Sequence, residues 1–489
     1  MANAKRDVKR NIIFVLTDTV RSVDVYGNGS LANLGYLARN GVAYTNAVAP
    51  GTWTAPTHAS IFANRNVSRI RHVSRDLFTN GTRKIDPWFV RTKFLPGNSI
   101  TLASKMASYG YTTALFSNNP FLSSYTNLAI GFDKVYDLWM ETNAKEGKEL
   151  VKKLSFIIKG GAKAREAMFN ISNALAGKLP TFMLDRLYLY LRRKLDEGVA
   201  NADGTYSIDR GAKYTEKIIN SYMNYIYNGL PLFMFINYIE AHENYPVSRN
   251  LLQDKWLYLA GIEQLDEGTA KKLHNAYLRR IKYLDWRIGK LLGTLKQNGI
   301  LENATVIIAS DHGQAFGEHG LLYHSLPPYE EITKVPLIAA NYENGKLVKM
   351  KDSVETPVSI LALHDALVDL ASGREEYLNG NMRKDRYVFS EHTGISEGWD
   401  EQLLRMLKKN SNYARMIYGA KSRFNMRATA IYKGNLKLVH HFGAGKDELY
   451  DLLHDDKEST NIIDSRRGKA LEMLHAYYNM LSKREVKAL

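Results

Sequence analysis

The chain has no cysteine, which removes disulfides, thiolate metal sites and cysteine nucleophiles together and excludes a disulfide-stapled secreted scaffold. It also lacks any long apolar run. The basic start "MANAKRDVKR" leads into apolar residues at 11–16 that stop almost at once at Asp18, too short a stretch for a signal peptide or a membrane span. The chain is therefore expected to be soluble and cytoplasmic. Negative charge is in short supply: 66 Lys and Arg face 50 Asp and Glu, a formal charge of +16. Such a balance favours anionic partners, whether nucleic acid, a membrane surface, or phosphorylated or sulfated substrates. No nucleic-acid motif accompanies the charge, so nucleic acid is not expected. Repeats and low-complexity tracts are absent as well.

What is present suits an ordinary globular protein, with 45% hydrophobic and 24% charged residues. A length of 489 residues fits one large α/β domain with an appendage, or two to three domains. Short runs rich in β-branched and aromatic residues recur: "NIIFVL" (11–16), "YTTALF" (111–116), "PLFMFINYI" (231–239) and "ATVIIA" (304–309). Helical patterns with glycine stops separate them, among them "LANLGYLARNG", "ITLASKMASYG" and "YLRRIKYLDWRIGKLLGTLKQNG". The combination predicts a parallel sheet covered on both faces.

Ligands of such sheets collect beyond the carboxyl ends of the strands. The residues there are strongly polar: Thr17, Asp18 and Thr19; Ser117, Asn118 and Asn119; Glu240 and His242; Ser310, Asp311 and His312. Any one Asp or Asn after a strand is an ordinary turn former, but together they converge on one edge. The glycine-rich stretch after His312 adds Glu318, His319 and His324. Carboxylates and imidazoles beside Asp18 suit a divalent metal such as Mn, Zn, Mg or Ca. Not all of these residues can be ligands, and His319, just before Gly320, equally serves to close the loop. The stretch "TWTAPTHASIFANR" (52–65) has two readings: a plain capped, apolar helix, or a nucleophile at a helix N-terminus.

Taken in order, these motifs resemble the sulfatases of the alkaline phosphatase superfamily. "NIIFVLTDTVRSVDVYG" is similar to their opening strand and acidic metal motif, "TAPTHAS" to their nucleophile motif, and "SDHGQAFGEHG" with "YEEITKVPLI" to their second metal motif. "FINYIEAHENYP" resembles the segment that carries a substrate-side histidine; "ATAIYKGNLKLVHHF" and "ELYDLLHDDKESTNI" resemble the small terminal sheet domain. The resemblance implies an alkaline-phosphatase-like α/β fold with a large, mostly parallel sheet and a small C-terminal α+β part. The expected domains are 1–375, catalytic, with a basic helical insertion at about 142–198, and 376–489, the terminal sheet-and-helix subdomain. Carried over by position, Thr54 stands at the nucleophile, and Asp18, Thr54, Asp311 and His312 form the ligand set of one divalent metal ion. His58, His242 and His324 stand where residues hold the transferred anion or the leaving group. Asn118, Asn119 and Arg21 are candidates for binding substrate.

The chain departs from that pattern in three places. Threonine cannot yield the formylglycine of typical sulfatases, because its β-carbon carries a methyl group. The motif arginine is replaced by His58, and the Lys-x-His expected after "YTTALF" by Asn118, Asn119 and Pro120. Thr19 takes the place of the second acid of the usual Asp-Asp pair. An unmodified threonine resembles the phosphodiesterase and phosphoglycerol-transferase branches of the superfamily. A second metal would need a further acidic or histidine group, for which "EAHENY" offers Glu240 and His242 at loose spacing, so a single cation is expected. The activity expected is hydrolysis of sulfate or phosphate esters, with a phosphoglycerol- or phosphoethanolamine-type transferase and a non-catalytic anion-binding protein as alternatives. The basic insertion is either a helical cover with solvated charges or a lid that touches acidic glycans or lipid headgroups at a membrane surface.

Overall fold

The computed structural model describes residues 9–70, 93–141, 208–243, 245, 264–324, 326–350, 353–374, 386–394, 427–443 and 446–482. The basic insertion at 142–198 lies outside them.

The large sheet has nine strands: β1 (Asn11–Thr17), β2 (Val42–Tyr44), β3 (Thr112–Ser117), β4 (Lys134–Asp137), β5 (Leu232–Tyr238), β6 (Asn303–Ser310), β7 (Leu337–Glu343), β8 (Lys346–Leu347) and β9 (Ser353–Val354). Their order is β9-β2-β7-β6-β1-β5-β3-β4, with β8 on β7. The four apolar runs read from sequence become the adjacent strands β6, β1, β5 and β3, all mutually parallel. β7 is antiparallel to both β6 and β2. β1 thus sits at the centre, with Phe14 in register between Phe235 and Ile307.

Strand β1 reads as a continuous apolar run because both of its faces are covered. Ile13 and Val15 face one layer, with Leu34 and Leu37 of α1 (Ala32–Asn40), Ile219 and Tyr222 of α4 (Ala212–Tyr225), and Leu273, Ile281 and Leu284 of α5 (Glu267–Gln297). Ile12, Phe14 and Leu16 face the other, with Ala59, Ile61 and Phe62 of α2 (Thr54–Ala63), Leu102 and Met106 of α3 (Leu102–Ser108), and Leu363 and Leu367 of α6 (Leu363–Ala371). Residues 54–62 of α2 are all buried, so this helix is core on every side. Its apolar surface is wedged into the fold, which fixes the position of its first residue, Thr54.

A second, antiparallel sheet contains β10 (Val388–His392), β11 (Ala428–Lys433), β12 (Leu436–His441) and β13 (Glu448–Asp451), in that order. Helix α7 (Arg467–Ser482) packs Met473 and Tyr477 against Ile431, Leu438 and Leu449 of this sheet. Polar contacts join it to the larger layer. The Lys437 ammonium is fully buried and lies 2.7 Å from Glu458 Oε1 and 3.0 Å from Glu330 Oε1. Gly51 forms a bridge to Glu391, and the Thr52 hydroxyl lies 2.9 Å from His392 Nδ1. Among the described residues no helix is long and apolar enough to cross a membrane.

Candidate active site

The candidate site lies at the carboxyl ends of the central strands, where open parallel sheets collect their ligands. Pairing continues one residue past the ends of β1 and β6. The Asp18 amide donates to Tyr238 O at 2.8 Å, and the Asp311 amide to Thr17 O at 3.0 Å. The two carboxylates are thereby held side by side and fully buried. Thr19 then turns with a φ of 63°, unusual for a β-branched residue. This turn presents its amide to Asp311 Oδ1 at 3.3 Å, while the Tyr277 hydroxyl donates to Thr19 O at 3.0 Å.

Thr54 opens α2, so its amide and that of Ala55 have no acceptor within the helix. Its hydroxyl lies 3.4 Å from Asp18 Oδ2 and 3.3 Å from His312 Nε2. His312 donates from Nδ1 to Gly313 O at 3.0 Å, which leaves the Nε2 lone pair facing inward. Nε2 is 3.5 Å from Asp311 Oδ2 and 3.7 Å from Asp18 Oδ1. Those two carboxylate oxygens are buried without a hydrogen-bond partner, an expensive arrangement unless something else meets them. Bonds of about 2.0–2.1 Å in a tetrahedral shell separate neighbouring ligand atoms by about 3.4 Å, close to the spacings found here. Asp18, Thr54, Asp311 and His312 therefore fit a divalent cation.

Electrostatics agree with that fit. Burial pushes Asp18 up to about 7, with the Asp311 charge adding to it, and burial likewise pushes Asp311 up to about 7. His312 is lowered to about 4 by burial and by the neighbouring His324, so it is the neutral imidazole that a metal requires.

The other residues singled out in the sequence divide into two groups. Asn119 joins the centre, donating from Nδ2 to Asp18 Oδ2 at 2.9 Å. His58 lies behind Thr54: its Nδ1 donates to Thr54 O at 2.8 Å, its Nε2 is buried without a partner, and burial lowers its pKa to about 4. His324 reaches the centre, with its ring 4.6 Å from that of His312 and 4.9 Å from that of His242. Asn118 turns away and donates to Thr215 Oγ1 of α4 at 2.6 Å. Arg21 is engaged by Asp24 at 3.0 Å and by Glu318 at 2.7 Å, which also accounts for Glu318. His319 closes its loop, 2.9 Å from Glu331 Oε1 and stacked on Tyr329. Glu240 accepts the amides of Arg210 and Ala212 at the start of α4.

The sequence reading missed Glu243. Its Oε2 is 3.3 Å from His242 Nδ1 and 3.2 Å from His324 Nδ1. The segment that carries it is held from below: Arg210 donates to the carbonyls of His242 and Glu243, and Arg280 of α5 to those of Glu240 and His242. Proximity to His242 in "EAHENY" was the available signal for Glu243. Arg280 sits in the middle of a helix, far away in sequence, and left none.

The family model described as Sulfatase matches residues 10–373. The chain belongs to the Sulfatase family. Curated relatives include a sulfatase of Formosa agariphila, 27% identical over 220 residues that make up 43% of this chain and 37% of the relative. An arylsulfatase of Clostridium perfringens is 27% identical over 210 residues, 42% of this chain and 39% of the relative. The matched region thus spans well under half the length of these relatives. Among solved structures, the phosphonate monoester hydrolase of Agrobacterium radiobacter superposes with a TM-score of 0.61 at 16% identity, covering 97% of this chain and 95% of that one. A structure described as in complex with its substrate D-glucosamine-2-N,6-O-disulfate gives a TM-score of 0.58 at 15% identity, covering 98% and 99%. At these identities the superpositions establish a shared α/β fold with a large, mostly parallel sheet. Members of the family generally bind a divalent metal.

Proposed function

We propose that this protein is a metal-dependent hydrolase of sulfate or phosphate esters that passes the transferred group through the Thr54 hydroxyl. The observation that carries this reading is the position of Thr54 Oγ1, 3.4 Å from Asp18 and 3.3 Å from His312, at the mouth of a helix whose first amides point outward. Asp18, Thr54, Asp311 and His312 would hold the cation, which when bound supplies positive charge to the reacting anion and lowers the pKa of a coordinated hydroxyl. Asn119 orients Asp18 by donating to Oδ2, leaving Oδ1 for ligation. Helix α2, buried on all sides, fixes Thr54, and the amides of Thr54 and Ala55 offer hydrogen bonds to the equatorial oxygens of the substrate anion. A bond forms from Thr54 Oγ1 to sulfur or phosphorus as the bond to the leaving oxygen breaks, and the proton lost by the Thr54 hydroxyl is balanced by one taken up by the departing oxygen, which leaves as the alcohol. Water then releases the group from Thr54, with inorganic sulfate or phosphate as the product of a monoester. The threonine acts unmodified in this scheme, because its β-methyl forbids oxidation to an aldehyde.

The test is a screen of metal-loaded protein against aryl sulfate, aryl phosphate monoester, phosphodiester and phosphonate monoester substrates, with Thr54→Ala and Thr54→Ser alongside. Thr54→Ala is expected to lose at least 1,000-fold in kcat, of the order seen for other nucleophile and oxyanion-group removals (about 10²–10⁶), and Thr54→Ser to retain measurable turnover. Near-normal rates in the alanine variant would remove Thr54 from the chemistry.

A further inference from the structure

The cluster of His242, Glu243 and His324 is not used by the scheme above. One ligand atom from each of the three lies within 4.8 Å of the others. We propose that these three residues hold a second divalent cation beside the first, in place of the role in holding the transferred anion or leaving group that the resemblance implies for the two histidines.

The geometry argues for a cation over an ordinary ion pair. A carboxylate paired with an imidazolium needs one histidine and an aligned N–H. Here two imidazoles approach the same oxygen, Glu243 Oε2, from 3.3 Å and 3.2 Å, yet that buried oxygen has no hydrogen-bond partner. Three ligand-type atoms thus converge, with His242 Nδ1 also 3.4 Å from Glu243 O and His324 Nδ1 3.3 Å from Gln314 Oε1, acceptors that each ring would exchange for a cation. Both distances from Glu243 Oε2 again match the roughly 3.4 Å edge of a tetrahedral shell with bonds of about 2.0–2.1 Å. Gln314 Oε1, 3.3 Å from His324 Nδ1, places a fourth oxygen at the edge of the cluster. Two imidazoles and one carboxylate favour zinc or manganese over magnesium or calcium.

The support beneath the cluster is rigid, as a metal site demands. Arg210 and Arg280 clamp the backbone of residues 240–243 through carbonyl oxygens, at 2.8 to 3.2 Å. Tyr245 receives the Gln314 amide and donates to Ala241 O at 3.0 Å. The first cluster is adjacent, with His312 and His324 rings 4.6 Å apart. A substrate anion lying over Thr54 would therefore meet positive charge on two sides, which supplies the charge of the lysine and arginine side chains that this chain lacks at those positions.

The experiment is an equilibrium zinc titration of the full-length protein by dialysis, read by elemental analysis, without substrate. Wild type is expected to bind one ion per chain more than Glu243→Gln, and one more than Asp311→Asn, with the double variant losing both. Glu243→Gln is nearly isosteric and keeps the first site, so its remaining ion reports that the fold is intact. His324→Gln provides a second variant at the same cluster and is expected to match Glu243→Gln. Equal zinc capacity in wild type, Glu243→Gln and His324→Gln overturns the proposal and returns His242 and His324 to holding the transferred anion or the leaving group. The count needs no activity, so a protein inert toward every ester in the screen would refute the proposed function and leave this inference standing.

Discussion

Stripping the metal should turn Asp18 and Asp311 into a pH-dependent liability, and the size of the effect follows from their burial. In the folded chain each carboxyl is pushed from 3.8 to about 7. An unfolded aspartate loses its proton near pH 4, whereas the folded one keeps it until about 7, so unfolding releases a proton across that window. Stability therefore falls as pH rises. At 1.36 kcal/mol per pH unit, one such group gives up about 3 kcal/mol between pH 5 and its folded pKa near 7. The Asp311 charge contributes to the Asp18 shift, so the two carboxylates do not double that figure. Other groups titrate as well, and Asp311→Asn isolates the term, because asparagine mimics the protonated acid. In EDTA, urea denaturation should show the variant gaining about 3 kcal/mol relative to wild type on going from pH 5 to pH 8. Saturating divalent metal at pH 8 should reverse the order, since only wild type regains the ion and the free energy of binding it. In EDTA, a stability difference between variant and wild type that is the same at pH 5 and pH 8 would refute the reasoning.

Three more outcomes follow from the geometry. Lys437→Met leaves Glu330 and Glu458 facing one another without their cation, and should cost about 3–5 kcal/mol in chemical denaturation. Gly313→Ala would set a Cβ 2.1 Å from the Glu331 carbonyl oxygen; the backbone must shift next to His312, and both melting temperature and metal affinity should drop. The pKa of His319 is set by burial, which lowers it, against the Glu331 bond, which prevails and raises it. Its contribution is thus complete below pH 6.5 and fades as pH climbs through the raised value. The stability difference between wild type and His319→Gln should be larger at pH 5.5 than at pH 8.5, and a pH-independent difference would contradict this pairing.

The central strands were legible because burial on both faces demands unbroken apolar runs, and the runs at 11–16, 111–116, 231–239 and 304–309 meet that demand. Asp18, Asp311 and His312 were legible for the same reason, since each follows directly where such a run ends. Thr54 needed the resemblance, because a threonine opening an apolar helix is ordinary on its own. Side-chain direction was less accessible. Asn118 and Asn119 follow the same strand, and successive residues of extended chain point to opposite sides; the sequence could not say which would face Asp18. Glu240 and Glu243 posed the same problem after β5, where one holds the start of α4 and the other meets two histidines. Nor could it show that Arg21 is engaged by Glu318, nearly 300 positions along the chain.

The contacts of Gly51 with Glu391 and of Thr52 with His392 bear on where the chain can be divided. The family match ends at residue 373, an inviting place to cut. Yet the two residues just ahead of Trp53 and Thr54 are tied to β10, whose Glu391 also receives the Ser68 amide and the Tyr477 hydroxyl. A polypeptide ending at 375 would keep every proposed ligand of both cations and lose the brace on the segment that leads into Thr54, the proposed nucleophile. The family boundary is therefore no boundary of the fold: the terminal sheet acts as a structural partner of the loop that opens α2, carried on the same chain.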